Sequence, residues 1–190
     1  MTSPIYLAMI NDKEEAFYLL IEHITYPNDM CTECIMNALL SNNHSTHFKY
    51  IEALLSYMSY ENTSTISSIL TNMLHHEWIS EGVIHKVLDH GIGIHNDHLI
   101  EAVMWHRSPN LIDTIAERDG INVNAFSPRY RTRALHVAAY NGHIGVIRVL
   151  KDNGAHICSH DGMNRTPVQI YNKKHKGSKS FITGRRLLSF

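Results

Sequence analysis

The sequence predicts an all-α solenoid of stacked helix-turn-helix units joined by short hairpin loops, and three observations carry that prediction. The first is an internal period: residues 135–154 read LHVAAYNGHIGVIRVLKDNG, and 33 residues after Leu135 a related segment opens at Val168 within TPVQIYN. A fixed period of this size marks a repeat architecture and changes the meaning of every motif inside it. The second is a pair of apolar stripes at helical spacing. Leu135, Ala138 and Ala139 form one short face, and Val146, Ile147, Val149 and Leu150 form a wider one. The third is punctuation: Gly142 and Gly154 stand just past the expected helix ends, and Thr166 with Pro167 supplies an N-cap and a first-turn proline.

Weaker copies of the same unit run upstream, at Ser3–His23, Cys34–Met58, Thr65–Gly91 and His98–Gly120, with leucine-like positions at Leu20, Leu55, Leu88, Ile115 and Leu150. The segment LHVAAYNGHIGVIRVLKDNGA resembles the ankyrin repeat, whose pattern runs T-P-L-H-x-A-A, a Gly-His turn, V-V-x-x-L-L and Gly-Ala. DGMNRTPVQIY, residues 161–171, looks like the opening of the next copy, with Asp161 and Gly162 at the turn. Arg133 and Ala134 depart from the Thr-Pro pair, and the second and third copies lack the Gly-His turn. The resemblance implies a single ankyrin-repeat domain over 1–190, with approximate repeats 2–29, 30–61, 62–96, 97–127, 128–160 and 161–190. It also implies that the His136 imidazole bonds to backbone near a helix start and ties one repeat to the next. One such helix pair cannot bury its own apolar face, so stability has to come from stacking.

Composition narrows the function. A formal charge of -1 gives no polyanion-binding signature, so nucleic acid is not implied. No apolar run approaches the roughly 18 to 20 residues of a membrane span. MTSPIYLAMINDKEE lacks a basic region ahead of its short apolar stretch and does not read as a signal peptide. Three cysteines argue against a disulfide framework and for a reducing, cytoplasmic compartment.

Several clusters invite a chemical reading. Cys31, Cys34, His44 and His47 have the atom types of a zinc site, but a finger needs about a dozen residues between its pairs and at least three between its histidines. In the repeat alignment Cys34 takes the place of Pro4, and His44 and His47 fall in the inter-helix loop. About ten residues of helix, some 15 Å, would then separate ligands that one zinc requires within about 4 Å. The repeat and zinc readings exclude each other, and the repeat is preferred. LHHEW, residues 74–78, lacks the His-Glu-x-x-His spacing of a metalloprotease helix. Cys158 between His156 and His160 reads as a surface cysteine on a hairpin. With no phosphate loop, paired-carboxylate constellation or G-x-S-x-G elbow, no enzyme, cofactor or metal is expected.

The surface remains. Ankyrin arrays bind other proteins through hairpin tips and exposed first-helix positions, and the resemblance implies the same here. NAFSPRYRTR, residues 124–133, is the most distinctive tip: Phe126, Arg129, Tyr130, Arg131 and Arg133 combine the aromatic and guanidinium groups that dominate interface hot spots. Tyr140, Trp105 and His106 stand at first-helix ends expected to face the same groove. The basic tail, with Lys173, Lys174, Lys176, Lys179, Arg185 and Arg186, reads as the polar face of a capping helix with Phe181, Ile182, Leu187 and Leu188 inward. At the other end nothing shields Ile5 and Leu7, so a homo-oligomer through an uncapped end is a second expectation, and a cysteine-dependent enzyme within 30–97 a third. The degenerate copies, rich in Ile, Asn, His and Tyr, look similar to ankyrin proteins deployed by poxviruses and intracellular bacteria. A scaffold protein in the host cytoplasm, binding a host protein partner, is the resulting reading.

Overall fold

The computed structural model describes residues 3–23, 27–57 apart from 41–43, 63–89 apart from 78, and 93–175; within these, the side chains of 27–30, 32, 39–40, 44–48 and 63–66 are not described. The basic tail beyond residue 175, with its expected capping helix, lies outside the described residues, as do the side chains of His44 and His47. Among the described residues the architecture is helical, with one isolated antiparallel bridge between Ser127 and Thr132. The chain divides into two compact units, Met1–Gly93 and Ile94–Phe190.

The first unit holds α1 (Pro4–Ile10), α2 (Glu14–Ile21), α3 (Pro27–Leu40), α4 (His44–Tyr57), α5 (Thr63–His75) and α6 (Glu81–Asp89). They pair as α1 with α2, α3 with α4 and α5 with α6; α1, α3 and α5 stack in sequence, and α4 packs on α6. Phe17 on α2 and Tyr50 on α4 are both fully buried, their ring centroids 4.5 Å apart. Burying a side chain of that size contributes about 1.5–3 kcal/mol. Asp12, in the α1–α2 turn, adopts a left-handed φ of 51°. Its carboxylate accepts a 2.7 Å hydrogen bond from the Tyr50 hydroxyl and pairs with Lys49 at 2.9 Å.

Four expectations change here. The second copy does not begin its helix at Cys34: α3 starts seven residues earlier at Pro27, a proline fit for a first turn, so Cys31 and Cys34 sit mid-helix, one turn apart and buried. His44 and His47 lie in the opening turns of α4 rather than in a loop. In the first copy α2 buries Phe17 and Ile21 and leaves Leu19 and Leu20 exposed, so the leucine-like position is filled one residue later than the alignment placed it. Ile5, expected to be unshielded, is buried, while Leu7 is exposed.

The second unit contains α7 (Asn96–Met104), α8 (Pro109–Ala116), α9 (Ala134–Asn141), α10 (Ile144–Asp152) and α11 (Pro167–Lys174). Helices α7, α9 and α11 stack side by side, and α8 packs on α10 behind them. The stripes read from the sequence form this core: Leu135, Ala138 and Ala139 of α9, and Val146, Ile147 and Leu150 of α10, are buried. Capping follows the expected chemistry. Gly142 (φ 75°) ends α9 and Gly154 (φ 85°) follows α10. Thr166 caps α11, its hydroxyl accepting from the Gln169 amide while the Gln169 side chain accepts from the Thr166 amide, and Ser108 caps α8 ahead of Pro109.

Candidate functional site

Stacking of α7, α9 and α11 leaves a groove of about 300 Å³ lined by Met104 of α7, Tyr130 and Thr132 of the 122–133 hairpin, Val137, Tyr140 and Asn141 of α9, and Arg165 and Ile170. A second hollow of about 550 Å³ shares Tyr140, Arg165 and Ile170 and extends to Gln169, Lys173 and Lys174. The floor is apolar, and cations stand at its edge. Lys174 places its ammonium 3.2 Å from the centroid of the Tyr140 ring, which is itself 54% exposed. That cation–π contact holds both groups at the rim without removing them from solvent.

The hairpin is fixed from below. Ser127 N–H donates to Thr132 O at 2.9 Å, and Tyr130 N–H donates to Ser127 Oγ at 3.2 Å. Tyr130 O–H donates at 2.6 Å to Oε1 of Glu101, a carboxylate on α7 that is only 1% exposed, and the Arg129 guanidinium approaches the same oxygen at 3.4 Å. Burial, then the neighbouring Glu101, pushes the Tyr130 phenol up to about 12, so it stays a donor throughout the physiological range. Arg133, standing where the repeat pattern has threonine, donates to the carbonyls of Asn124 and His160, and its guanidinium lies 5.4 Å from the Phe126 ring centroid. Arg131 takes a left-handed φ of 52° and its carbonyl accepts from Gly162 N–H at 3.0 Å. A Cβ on Gly162 would stand 2.9 Å from that oxygen, which explains the glycine.

The candidate residues therefore divide. Phe126, Tyr140 and Trp105 are exposed aromatics, while Tyr130 and Arg133 are half-buried and hold the hairpin in shape; Arg129 and Arg131 remain exposed. Trp105 caps α7, and His106 follows it with a left-handed φ of 57°. Glu101 was not singled out in the sequence, yet a signal existed. It is the sixth residue of α7, where α9 carries Ala139, so a carboxylate occupies a position the pattern reserves for a small apolar side chain.

His136 behaves as the resemblance implies. It is buried, and Nε2 lies 3.1 Å from Ser159 O and 3.0 Å from Arg165 O. Carbonyls only accept, so Nε2 carries the proton, and Nδ1 is left buried without a partner. A second proton would be desolvated there, and burial accordingly holds the imidazole below its usual value. Asp161 organises the same loop: Oδ1 accepts from the amides of Met163 and Arg165, and Oδ2 from Arg165 Nε and Nη2 at 2.9 and 2.7 Å. Burial works against the Asp161 charge, but the Arg165 guanidinium and these amides outweigh it and hold the carboxyl low.

The chemical clusters take up structural places. Cys31 and Cys34 are fully buried, and burial raises both thiols, Cys31 to about 12, which disfavours the thiolate that a nucleophile or a metal ligand requires. His75 ends α5 and His76 lies beyond it. Cys158 is exposed in the hairpin between α10 and α11. Among the described residues no group of three or more His, Cys, Asp or Glu side chains converges as a metal site, and no helix is long and apolar enough to cross a membrane.

Neither a scan of protein-family models nor a sequence search of characterised proteins finds a match. Solved structures do match. The ankyrin repeat domain of human ASB11 aligns with a TM-score of 0.56 at 16% identity, covering 98% of this chain and 97% of that one. The ankyrin repeat domain of Bcl-3, a member of the IκB protein family, aligns with a TM-score of 0.55 at 17% identity, covering 98% and 96%. The fold is the all-α ankyrin-repeat solenoid.

Proposed function

We propose that the chain is a non-catalytic protein-interaction module whose second unit binds a partner through the α7–α9–α11 groove and the 122–133 hairpin tip. The observation that carries this reading is the exposed Tyr140 lining an apolar groove with Lys173 and Lys174 at its edge, while Phe126 and Trp105 are further exposed aromatics of the same unit. Large aromatics at a solvent-exposed rim gain most from being covered, and the cations favour a partner segment that carries carboxylates next to apolar side chains. The similarity of fold to ankyrin repeat domains supports the class of function. A host-cell partner and a cytoplasmic location rest on the composition of the repeats, and the six-repeat division rests on the sequence pattern.

The test is affinity capture from host-cell lysate with wild type beside a Tyr140→Ala, Phe126→Ala variant, read by mass spectrometry. A partner recovered with wild type and lost with the variant is expected, with affinity falling by about 2 kcal/mol or more for a true hot spot. Retention of that partner by the variant sinks the proposed surface. Tyr130 is left intact, because its removal would strip the buried Glu101 of a donor and confuse unfolding with lost binding.

A second reading has its own observation. Leu7, Ile10, Tyr18, Leu19 and Leu20 are all exposed on α1 and α2 of the first unit, an apolar surface that self-association would cover. Sedimentation across a hundredfold range of concentration separates the two: a mass that rises with concentration in wild type and stays constant in a Leu19→Lys variant supports self-assembly.

A further inference from the structure

His106 and His143 occupy neighbouring turns of the second unit, one after α7 and one at the start of α10. Their side chains meet, with His106 Nδ1 3.0 Å from His143 Nε2 and ring centroids 4.6 Å apart at 60°. The backbone that carries them is held in place. Asn141, two residues before His143, donates its side-chain amide to Val103 O at 3.1 Å, which ties the α9 turn to the end of α7. His106 itself takes a left-handed φ of 57°, an uncommon conformation for a residue other than glycine.

We propose that His106 and His143 form a bidentate site for a divalent transition-metal ion, of which Zn²⁺ and Cu²⁺ are the best suited. Two imidazole nitrogens bound to one tetrahedral ion at about 2.0–2.1 Å lie a little over 3 Å apart, so the observed separation needs only a small opening. Both rings retain solvent access, so each can turn until its lone pair points at a common centre, and water can complete the coordination. As the rings now stand, one of the two facing nitrogens carries a proton that the other accepts. Binding moves that proton to the far nitrogen of its own ring and breaks the N–H···N bond, so no charge is lost from either imidazole and no oxidant or reductant is needed. Imidazole suits Zn²⁺, Cu²⁺ and Ni²⁺, whereas Mg²⁺ and Ca²⁺ want oxygen ligands, so the site discriminates between these groups.

A bound ion would clasp the turn after α7 to the turn before α10. Isothermal titration of the full chain with ZnCl₂, beside His106→Asn and His143→Gln variants, tests this. Asn tolerates a left-handed φ, so the first variant preserves the turn. Wild type is expected to show one saturable site that each variant loses or weakens at least about tenfold, since removing a ligand costs no less than removing a residue that merely orients one. The melting temperature of wild type should rise with Zn²⁺ but not with Mg²⁺, and that rise should vanish in both variants. The other histidines are common to all three proteins and cancel in the comparison. Equal zinc stoichiometry and affinity in wild type and both variants would overturn the site, as would the absence of any saturable binding in wild type.

Discussion

The two units solve the same problem, a sharp turn between antiparallel helices, with different residues. In the second unit Gly142 takes the left-handed conformation without strain, and the ring of His175 lies against it where a side chain would stand. In the first unit Asp12 takes the corresponding place with φ 51° and uses its carboxylate to bind Tyr50 and Lys49 on α4. One turn is unstrained and close-packed; the other accepts a less favourable backbone and gains a polar link to the next helix pair. Repeat geometry is therefore maintained by alternative local chemistry, which is why a search for glycine finds some turns and misses others.

The comparison can be broken in order of effect. Phe17→Ala removes a fully buried ring from the first unit and should cost about 3–5 kcal/mol, read as a lowered denaturation midpoint; a change under 1 kcal/mol would mean that Phe17 is not part of a close-packed core. In the second unit His136→Ala takes the imidazole donor from Ser159 O and leaves Arg165 O with the Asp161 amide alone, and should cost about 2 kcal/mol. It also carries a pH signature. Because the folded-state pKa of His136 is lowered, the unfolded chain binds more protons, and stability rises with pH. The contribution is complete above about pH 6.5 and is lost as pH falls from there through the folded value. Denaturation at pH 7.5 and 5.5 should give a smaller difference for His136→Ala than for wild type, with the slope that persists owed in part to His143, which is lowered in the same sense. Smallest is the exchange of turn residues. Gly142→Ala should cost about 1–2 kcal/mol from its left-handed backbone, increased by the His175 ring 2.7 Å from the new Cβ. Asp12→Gly should be close to neutral, because relief of the backbone offsets the lost contacts with Tyr50 and Lys49. A neutral Gly142→Ala would show that the two turns do not differ in the way described.

The sequence made the fold legible wherever a repeat feature depends on one residue type. Glycine past a helix end, Thr-Pro at a helix start and a histidine inside an apolar stripe each have a single physical cause, and α9, α10 and α11 stand where those signals placed them. Boundaries failed where the signal was diffuse. Nothing in the repeat pattern announces that α3 extends back to Pro27, because Asn28, Asp29 and Met30 carry no periodic apolar stripe of their own. Ile21 and Leu20 are equivalent by hydrophobicity, and only the packing of α2 decides between them. Composition and position single out Tyr140, which lines the groove, and Trp105, which is exposed at the end of α7. They do not reveal the anchoring of Tyr130, since the link to Glu101 spans 29 residues and two elements, a distance over which neither periodicity nor motif spacing carries information.

Asn124 illustrates what lets such a chain diverge. Its side chain donates to Gly154 O at 2.9 Å and accepts from His156 N–H at 2.7 Å, so one amide engages the main chain of the next hairpin at two points. The His136 ring likewise directs its hydrogen bonds to carbonyls of the loop that follows it. Groups that recognise main chain impose a path on the neighbouring repeat and leave its side chains free. Mutation can then rewrite one repeat without a compensating change in the one before it, so the neighbours need not coevolve. An array joined in this way can keep its stacking while most of its side chains differ, and a shared fold at 16% identity across 98% of the chain is compatible with such a joint.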